Sequence, residues 1–506
     1  MNRTTKSRYG AMPGRFAAPG RPFLRRVVAV LALAFPSVVF AAELVVLVPL
    51  AAGNQVLTKP GPKGGSDAPI VRRATDDGLT KAIEREATRG TTKFMLNLDE
   101  RAQRVAGIAQ PAPSYLVATE EASGTARRGF WLSDAGKLAW RDVPYVELTV
   151  THAELRDGHF EEDFAYEMGH VILRRLLPRL PEGLSRTPPS SLAVTDYPTA
   201  FAEGFAIHFQ GVARRLTENA ALRALDLGLN YEPFVPYRHD NIDRLLRIRG
   251  MRDNLFIQEQ LPAPLKVGDA TSLFDMTHFK NGQQMLSSEG VIATLFYHLL
   301  NTENDTDKLR AARYYSLFLS LRKLNAQKLS SSSPVFLDLV RTHARRLPPA
   351  KSQWISTVID LTYGATAGTA VIDGMTELAA LGQEAHDKEF AAALERQRAN
   401  LARLAKRVTA DPRRLDDAVG PELWIAIKSG DDTTTINLNT AEKTTLMDVL
   451  GFQPLETDLL LADRRANGPF KSVDDFAMRR RASSALREKL STGHALALEL
   501  GRYRRP

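Results

Sequence analysis

Two short windows hold residues whose types and spacing could do chemistry together. Tyr166, Glu167 and His170 stand at positions i, i+1 and i+4 of a stretch in which Phe164, Met168, Val171, Ile172 and Leu176 recur at three-to-four spacing. That is the period of an amphipathic helix, read here over residues 161–176. Residues i and i+4 share one helix face, so two side chains there can reach a single ion. Glu203 follows in Phe201-Ala202-Glu203-Gly204-Phe205-Ala206, part of a second helical stretch over residues 199–215. The 506 residues include no Cys. This excludes thiolate zinc sites, iron–sulfur clusters, disulfide scaffolds and cysteine catalysis. A metal would have to be held by His, Asp, Glu, Tyr or backbone oxygens. No G-x-S-x-G, P-loop or G-x-G-x-x-G occurs. A serine hydrolase or a nucleotide-cofactor enzyme therefore has no support.

The window Tyr166-Glu167-Met168-Gly169-His170 resembles the zinc-binding helix of gluzincin-type metallopeptidases, whose motif is H-E-x-x-H. The Glu203-Gly204 window resembles the later helix that supplies their glutamate ligand. The order of elements is also similar: a strand over residues 144–151, a helix, an irregular Pro-containing loop and a second helix. The resemblance implies Zn2+ held by His170 and Glu203, with Glu167 as the general base that activates a metal-bound water. It also implies peptide-bond hydrolysis. Tyr166 stands where the family has its first His. A phenol has a pKa near 10 and must lose its proton to ligate strongly. A third ligand could come from Tyr166 as phenolate, or from His159 or His152; His208, off the face of Glu203, is the poorest candidate. The alternative is a metal-free relative serving as a scaffold or protein-binding domain. There, Tyr166 packs into the vacated corner and its hydroxyl bonds Glu203 or His170. Both readings stay open. Ser287-Ser288-Glu289-Gly290 reads as a helix cap followed by core, or as cleft lining. His298 reads as a satisfied histidine.

A second resemblance lies near the C-terminus. Residues 436–476 are similar, without a gap, to the helix-hairpin-helix domain of the competence DNA-uptake proteins. The match opens on Ile436-Asn437-Leu438-Asn439-Thr440-Ala441 and closes on Arg464, Asn467, Gly468, Pro469 and Phe470. It implies a cap at Thr440, core positions at Leu446 and Val449, and a DNA phosphate held at the hairpin residues Gly451, Phe452 and Gln453. The family's second hairpin Gly is Gln453 here, and Glu456 and Asp458 follow with charges that repel phosphate. Residues 431–506 carry only +1. Protein docking and DNA binding are both open.

The elements that must position these residues suggest an α+β, mostly α chain. Residues 1–41 read as a secretory signal peptide: a basic segment, an apolar run over 27–39 and small residues at the cut. They carry +7 of the net +9, which leaves +2 for the rest and removes any global electrostatic argument for nucleic acid. Export to a bacterial periplasm is expected, or membrane anchoring through residues 27–39 and 44–52 together if the leader is retained. Residues 42–94 read as a flexible linker region, its most Gly- and Pro-rich part at 53–75. Residues 95–375 are the stretch that the resemblance implies is a gluzincin-like domain. Its expected strands lie at 93–98, 114–118 and 144–151, with helices at 161–176, 199–215, 240–251, 284–303, 307–324 and 334–346. Residues 376–430 form a helical connector, with a long helix over 376–408, and 431–506 an all-α unit. Residues 428–434 read as a linker between the two. A protein or peptide is the expected partner, with DNA through the C-terminal unit as the alternative and no nucleotide cofactor.

Overall fold

Strands with apolar residues on both faces need cover on both sides, and the N-terminal strands have it. The structure is a computed structural model. It describes residues 43–480 apart from 63, 65, 76, 121–123, 229–238, 262–272, 303–304, 382–387 and 430–431. Residues 1–42, which include the expected signal peptide, and the arginines beyond Arg480 lie outside these residues. The N-terminal part holds eight strands, with two helices between the fifth and sixth: β1 (Leu44–Pro49), β2 (Ala51–Ala52), β3 (Gln55–Val56), β4 (Thr58–Pro60), β5 (Asp67–Arg73), β6 (Ser114–Thr119), β7 (Gly124–Asp134) and β8 (Lys137–Thr149). Five of them run β1-β6-β8-β7-β5 and return to β1, closing a small ring. Leu47 and Val117 pair inside it. With Val45, Val71, Phe130, Leu132 and Tyr145 they form its own apolar cluster. The alternate residues Val46, Leu116, Val146 and Leu148 face outward into the helical core.

This ring corrects two expectations. Residues 42–94 are not a linker: they supply β1 to β5 and helix α1 (Gly78–Ala87). Gly53, Gly61, Pro62 and Gly64 sit between short strands, Pro60 and Pro69 lie within β4 and β5, and Ala68 and Val71 are buried. Residues 44–49 form a ring strand, so they cannot be half of a membrane-spanning helix. Among the described residues no helix is long and apolar enough to cross a membrane. A third correction concerns residues 93–98, which lie inside helix α2 (Gly90–Val105). The short apolar run is compatible with either period. The buried residues Phe94, Met95, Leu98 and Ala102 follow the helical one.

The rest of the large core is helical. In chain order it contains α3 (His152–Asp157), α4 (His159–Leu176), α5 (Tyr197–Leu216), α6 (Ala220–Gly228) and α7 (His239–Arg252). The pair β9 (Gln258–Gln260) and β10 (Phe274–Phe279) follows. Then come α8 (Gly282–Leu286), α9 (Glu289–Leu300), α10 (Asp307–Leu324), α11 (Val335–Arg346), α12 (Pro348–Leu361), α13 (Thr369–Leu381) and α14 (Lys388–Ala410). The chain is α+β and mostly helical. The expected long helix over 376–408 falls on α13 and α14, with residues 382–387 outside the description. They are no free connector: Leu401, Leu404, Ala405 and Val408 belong to the large core. Arg341 of α11 bonds Pro412 O at 3.1 Å and Asp416 at 2.6 Å, holding the segment after α14.

The C-terminal unit starts earlier than residue 431. Residues 428–429 and 432–434 lie in an antiparallel strand pair, β11 (Trp424–Ser429) and β12 (Asp432–Asn437), so the unit is not all-α; residues 430–431 lie outside the description. Leu423, Ile425 and Ile427 share one core with α15 (Lys443–Leu450), α16 (Pro454–Asn467) and α17 (Val473–Arg479). The two asparagines of the opening motif are structural. Asn437 Oδ1 accepts from the amides of Leu423 and Asn439. Buried Asn439 donates to Pro421 O and Phe470 O, both at 2.9 Å, and accepts from Phe470 N at 2.7 Å. The unit is fastened to the large core. Asn281 donates to Asn439 O (3.0 Å), Gln284 to Thr440 O (3.2 Å) and Thr435 to Leu184 O (2.6 Å), and Arg465 pairs with Glu259 at 2.9 Å.

Asn439→Ala removes three buried hydrogen bonds and leaves their partners unsatisfied. At about 1 kcal/mol or more each, we expect a loss of about 3 kcal/mol in urea unfolding of the full chain. A loss below about 0.5 kcal/mol would contradict this role for Asn439.

Candidate functional site

Three helices meet where two glycines let their backbones come close. A Cβ on Gly169 of α4 would stand 2.9 Å from the Phe209 ring and 3.0 Å from Ala206 Cα of α5. A Cβ on Gly204 of α5 would stand 2.7 Å from Ile292 and 2.8 Å from the Glu289 carbonyl of α9. Larger residues at either place would push the helices apart. The α4–α5 pair is also tied by a buried ion pair, Glu162 with Arg214, at 2.5 and 3.0 Å. At the start of α5, Asp196 caps the helix by accepting from Thr199 N at 2.8 Å.

This packing brings Tyr166, His170 and Glu203 together. Tyr166 Oη donates to Glu203 Oε2 at 2.5 Å. His170 Nε2 lies 3.4 Å from the same oxygen. The Tyr166 and His170 rings meet edge to face with centroids 5.0 Å apart. Burial, then the negative charge of Glu203, push the Tyr166 hydroxyl above its ordinary value, so it stays a phenol. Burial opposes ionisation of Glu203, but hydrogen bonding and charge from His170, the Tyr166 hydroxyl and Arg247 outweigh it. The carboxyl is held below its ordinary value.

Glu167, one residue round the helix, faces the sheet. It accepts from the backbone amide of Ala126 in β7, and burial pushes its carboxyl up to about 7. Arg174, seven residues on along α4, donates to Ala126 O at 2.6 Å. Glu167 and Arg174 thus satisfy both backbone polar groups of Ala126. A carboxyl near 7 is poised for proton transfer at neutral pH.

The donors present do not fit a three-ligand zinc site. Among the described residues, no group of three or more His, Asp or Glu side chains is placed to hold a metal ion. Tyr166 keeps its proton and directs it at Glu203. His159 and His152 cannot help. His159 opens α4 eleven residues before His170, about 16 Å along the axis, and His152 lines a separate cavity with Glu86, Arg89 and Asn219. His208 is buried against the Phe205 carbonyl and Tyr314 Oη, and burial pushes it down to about 3. His298 bonds Met251 O at 3.2 Å.

Two further neighbours stand at this site: Arg247, which the sequence did not mark, and Glu289, whose window read as a helix cap or as cleft lining. Arg247 on α7 donates to Gln210 Oε1 at 2.8 Å and to Ser191 Oγ at 3.3 Å, and its charge acts on Glu203. Glu289, first residue of α9, is fully buried, with the Ser190 backbone as the hydrogen-bonding neighbour of its carboxyl. Burial and the charge of Glu203 push it up to about 9. A further local signal for Glu289 is a repeated pair, Glu-Gly at 203–204 and at 289–290. Nothing local in the sequence pointed to Arg247.

The C-terminal hairpin differs from a phosphate cradle. Gly451 takes the left-handed conformation (φ +71°) at the end of α15, and its amide donates to Met447 O at 2.9 Å. Phe452 is buried and stacks over Phe476. The Gln453 amide is taken by the Glu456 carboxylate at 3.2 Å, within a capping box. Glu442, not Thr440, occupies the cap position of α15. Leu446 is buried as expected, with Val449 packed beside the core.

Comparison with protein-family models, curated proteins and solved structures finds no match.

Folded Glu289 keeps its proton up to about pH 9, whereas the unfolded chain loses it near 4.5. Between these values the native state binds the extra proton, so stability falls as pH rises. Glu289→Gln should therefore gain stability over wild type progressively from pH 5 to 8, by at most about 1.4 kcal/mol per unit. A gain independent of pH would contradict the buried, protonated carboxyl.

Proposed function

We propose that this chain is an exported envelope scaffold that binds a peptide or protein partner through a metal-free, gluzincin-like cleft. The observation that carries the reading is the 2.5 Å hydrogen bond from Tyr166 to Glu203. A protonated phenol occupies the corner where the resembled family places its first histidine, and it occupies the glutamate as well. Export rests on the leader in residues 1–41. The C-terminal helix-hairpin-helix-like unit acts as a docked structural element. The Glu456 carboxylate on the hairpin amide disfavours a phosphate there.

Zinc content of the purified mature chain, measured by elemental mass spectrometry, tests this. Wild type should hold far less than one zinc per chain. Tyr166→His should take up about one, and Tyr166→His with Glu203→Ala should lose it. About one zinc in wild type, lost on Glu203→Ala, would contradict the proposal. It would favour a peptidase in which Glu167 activates water.

DNA binding by the full chain gives a second check. Wild type should show no salt-dependent retention of duplex DNA in filter binding. A log–log salt slope steeper than about −2 would contradict the docking role of the unit.

A further inference from the structure

We infer that an apolar stripe on the outer face of α16 is the docking surface for the chain's own C-terminal segment, residues 481–506. The inference is independent of the metal-free reading of the cleft.

The exposed apolar surface is concentrated in one place. Among the described residues Leu455 is 71% exposed, Met478 67% and Leu459 57%, and no other large hydrophobic side chain exceeds 40%. Single exposed apolar residues are ordinary, but a row on one helix face marks an interaction surface. Leu455, Leu459, Ala462 and Ala466 stand at i, i+4, i+7 and i+11 of α16, and all four are exposed. That spacing makes a seam for a second chain segment. The opposite face, with Leu460 and Leu461, is already in the core of the unit.

The chain leaves the unit beside this seam. Phe452, three residues before Leu455, stacks on Phe476 of α17, and the Arg480 guanidinium lies 5.8 Å from the centre of the Phe452 ring. Residues 481–506 continue directly from Arg480. The 14 residues of α16 span about 21 Å. The segment is longer than that even at the helical rise.

Composition selects this occupant. Residues 431–480 hold six Lys and Arg against nine Asp and Glu, whereas residues 481–506 hold six against two. Glu456 and Asp458 stand exposed beside the seam. In the segment, Ala482, Leu486 and Leu490 recur every four residues, with Arg487 and Lys489 among them. This pattern sets an apolar row beside cations. A second copy is the poorer fit. Two leucines and two alanines offer far less than the ~600 Å2 per partner that a stable interface between separate chains needs. A tethered segment binds at a high effective concentration and needs less area. A second copy laid seam to seam would also add acidic charge to an acidic face.

Because the chain has no Cys, one introduced thiol reports cleanly. Ala462→Cys in the full mature chain is labelled with a maleimide at two protein concentrations about tenfold apart. Ala52→Cys, on the exposed strand β2, is the reference. We expect Ala462→Cys to react about tenfold more slowly than the reference at both concentrations. Its rate should rise to that of the reference when the chain ends at Arg480. It should also rise severalfold in the full chain carrying Arg487→Glu and Lys489→Glu. That variant keeps every apolar residue, so it decides the matter if the shortened chain unfolds. Equal rates for the two thiols in the full chain would overturn the inference. So would protection present only at the higher concentration, which would assign the seam to a second copy. Protection unchanged in both variants would overturn it as well, since something other than residues 481–506 would then cover α16.

Discussion

A carboxylate lodged where three helices cross has to be met by donors, or it will not stay ionised. In this protein the carboxylate is Glu203. The Tyr166 hydroxyl and the His170 ring approach one of its oxygens, and Arg247 adds a charge. Much else follows from that contact. Gly169 and Gly204 are small because α4, α5 and α9 must come close enough to make it. Tyr166 stays a phenol because its proton is in use. Glu289, packed behind Glu203, stays protonated because a second negative charge there would have no counterpart.

The same economy of donors explains the C-terminal unit. Its two motif asparagines and Arg464 are spent on backbone groups of the unit itself; Arg464 bonds Leu438 O and Ala441 O. The hairpin amide of Gln453 goes to Glu456. What faces the large core is a row of polar contacts from α8 and the Leu177–Asp196 region, reinforced by the Arg465–Glu259 pair. Lys280 is buried nearby, with its ammonium on Phe256 O and Gln258 O. Burial of so many polar groups fits a fixed attachment better than a tethered module.

What was legible in the sequence follows from how local the determinants are. The helices carrying Tyr166, Glu167, His170 and Glu203 show a clean 3.6-residue period, and α4 and α5 extend only one to two residues beyond the expected bounds. The three ligand-position residues were expected together and are together. Residues 53–75 misled because their strands are short and are held by partners far along the chain; β5 pairs with β7 some sixty residues later. Residues 93–98 misled because a six-residue apolar run fits either period. Residues 428–434 misled because Gly, Asp and Thr suit a hairpin as well as a linker. Glu289, whose window already read as cap or cleft lining, and Arg247, which no local pattern marks, reach the neighbourhood of Glu203 only through tertiary packing.

In the proposed metal-free state the Tyr166 hydroxyl fills the corner between His170 and Glu203. Crystals of the mature chain soaked in a zinc salt, with anomalous data collected at the zinc edge, test it most directly. No anomalous peak is expected between His170 and Glu203, and Tyr166 Oη should lie within hydrogen-bond distance of Glu203. A zinc peak bonded to His170 and Glu203, with the tyrosine turned away or ligating, would contradict it.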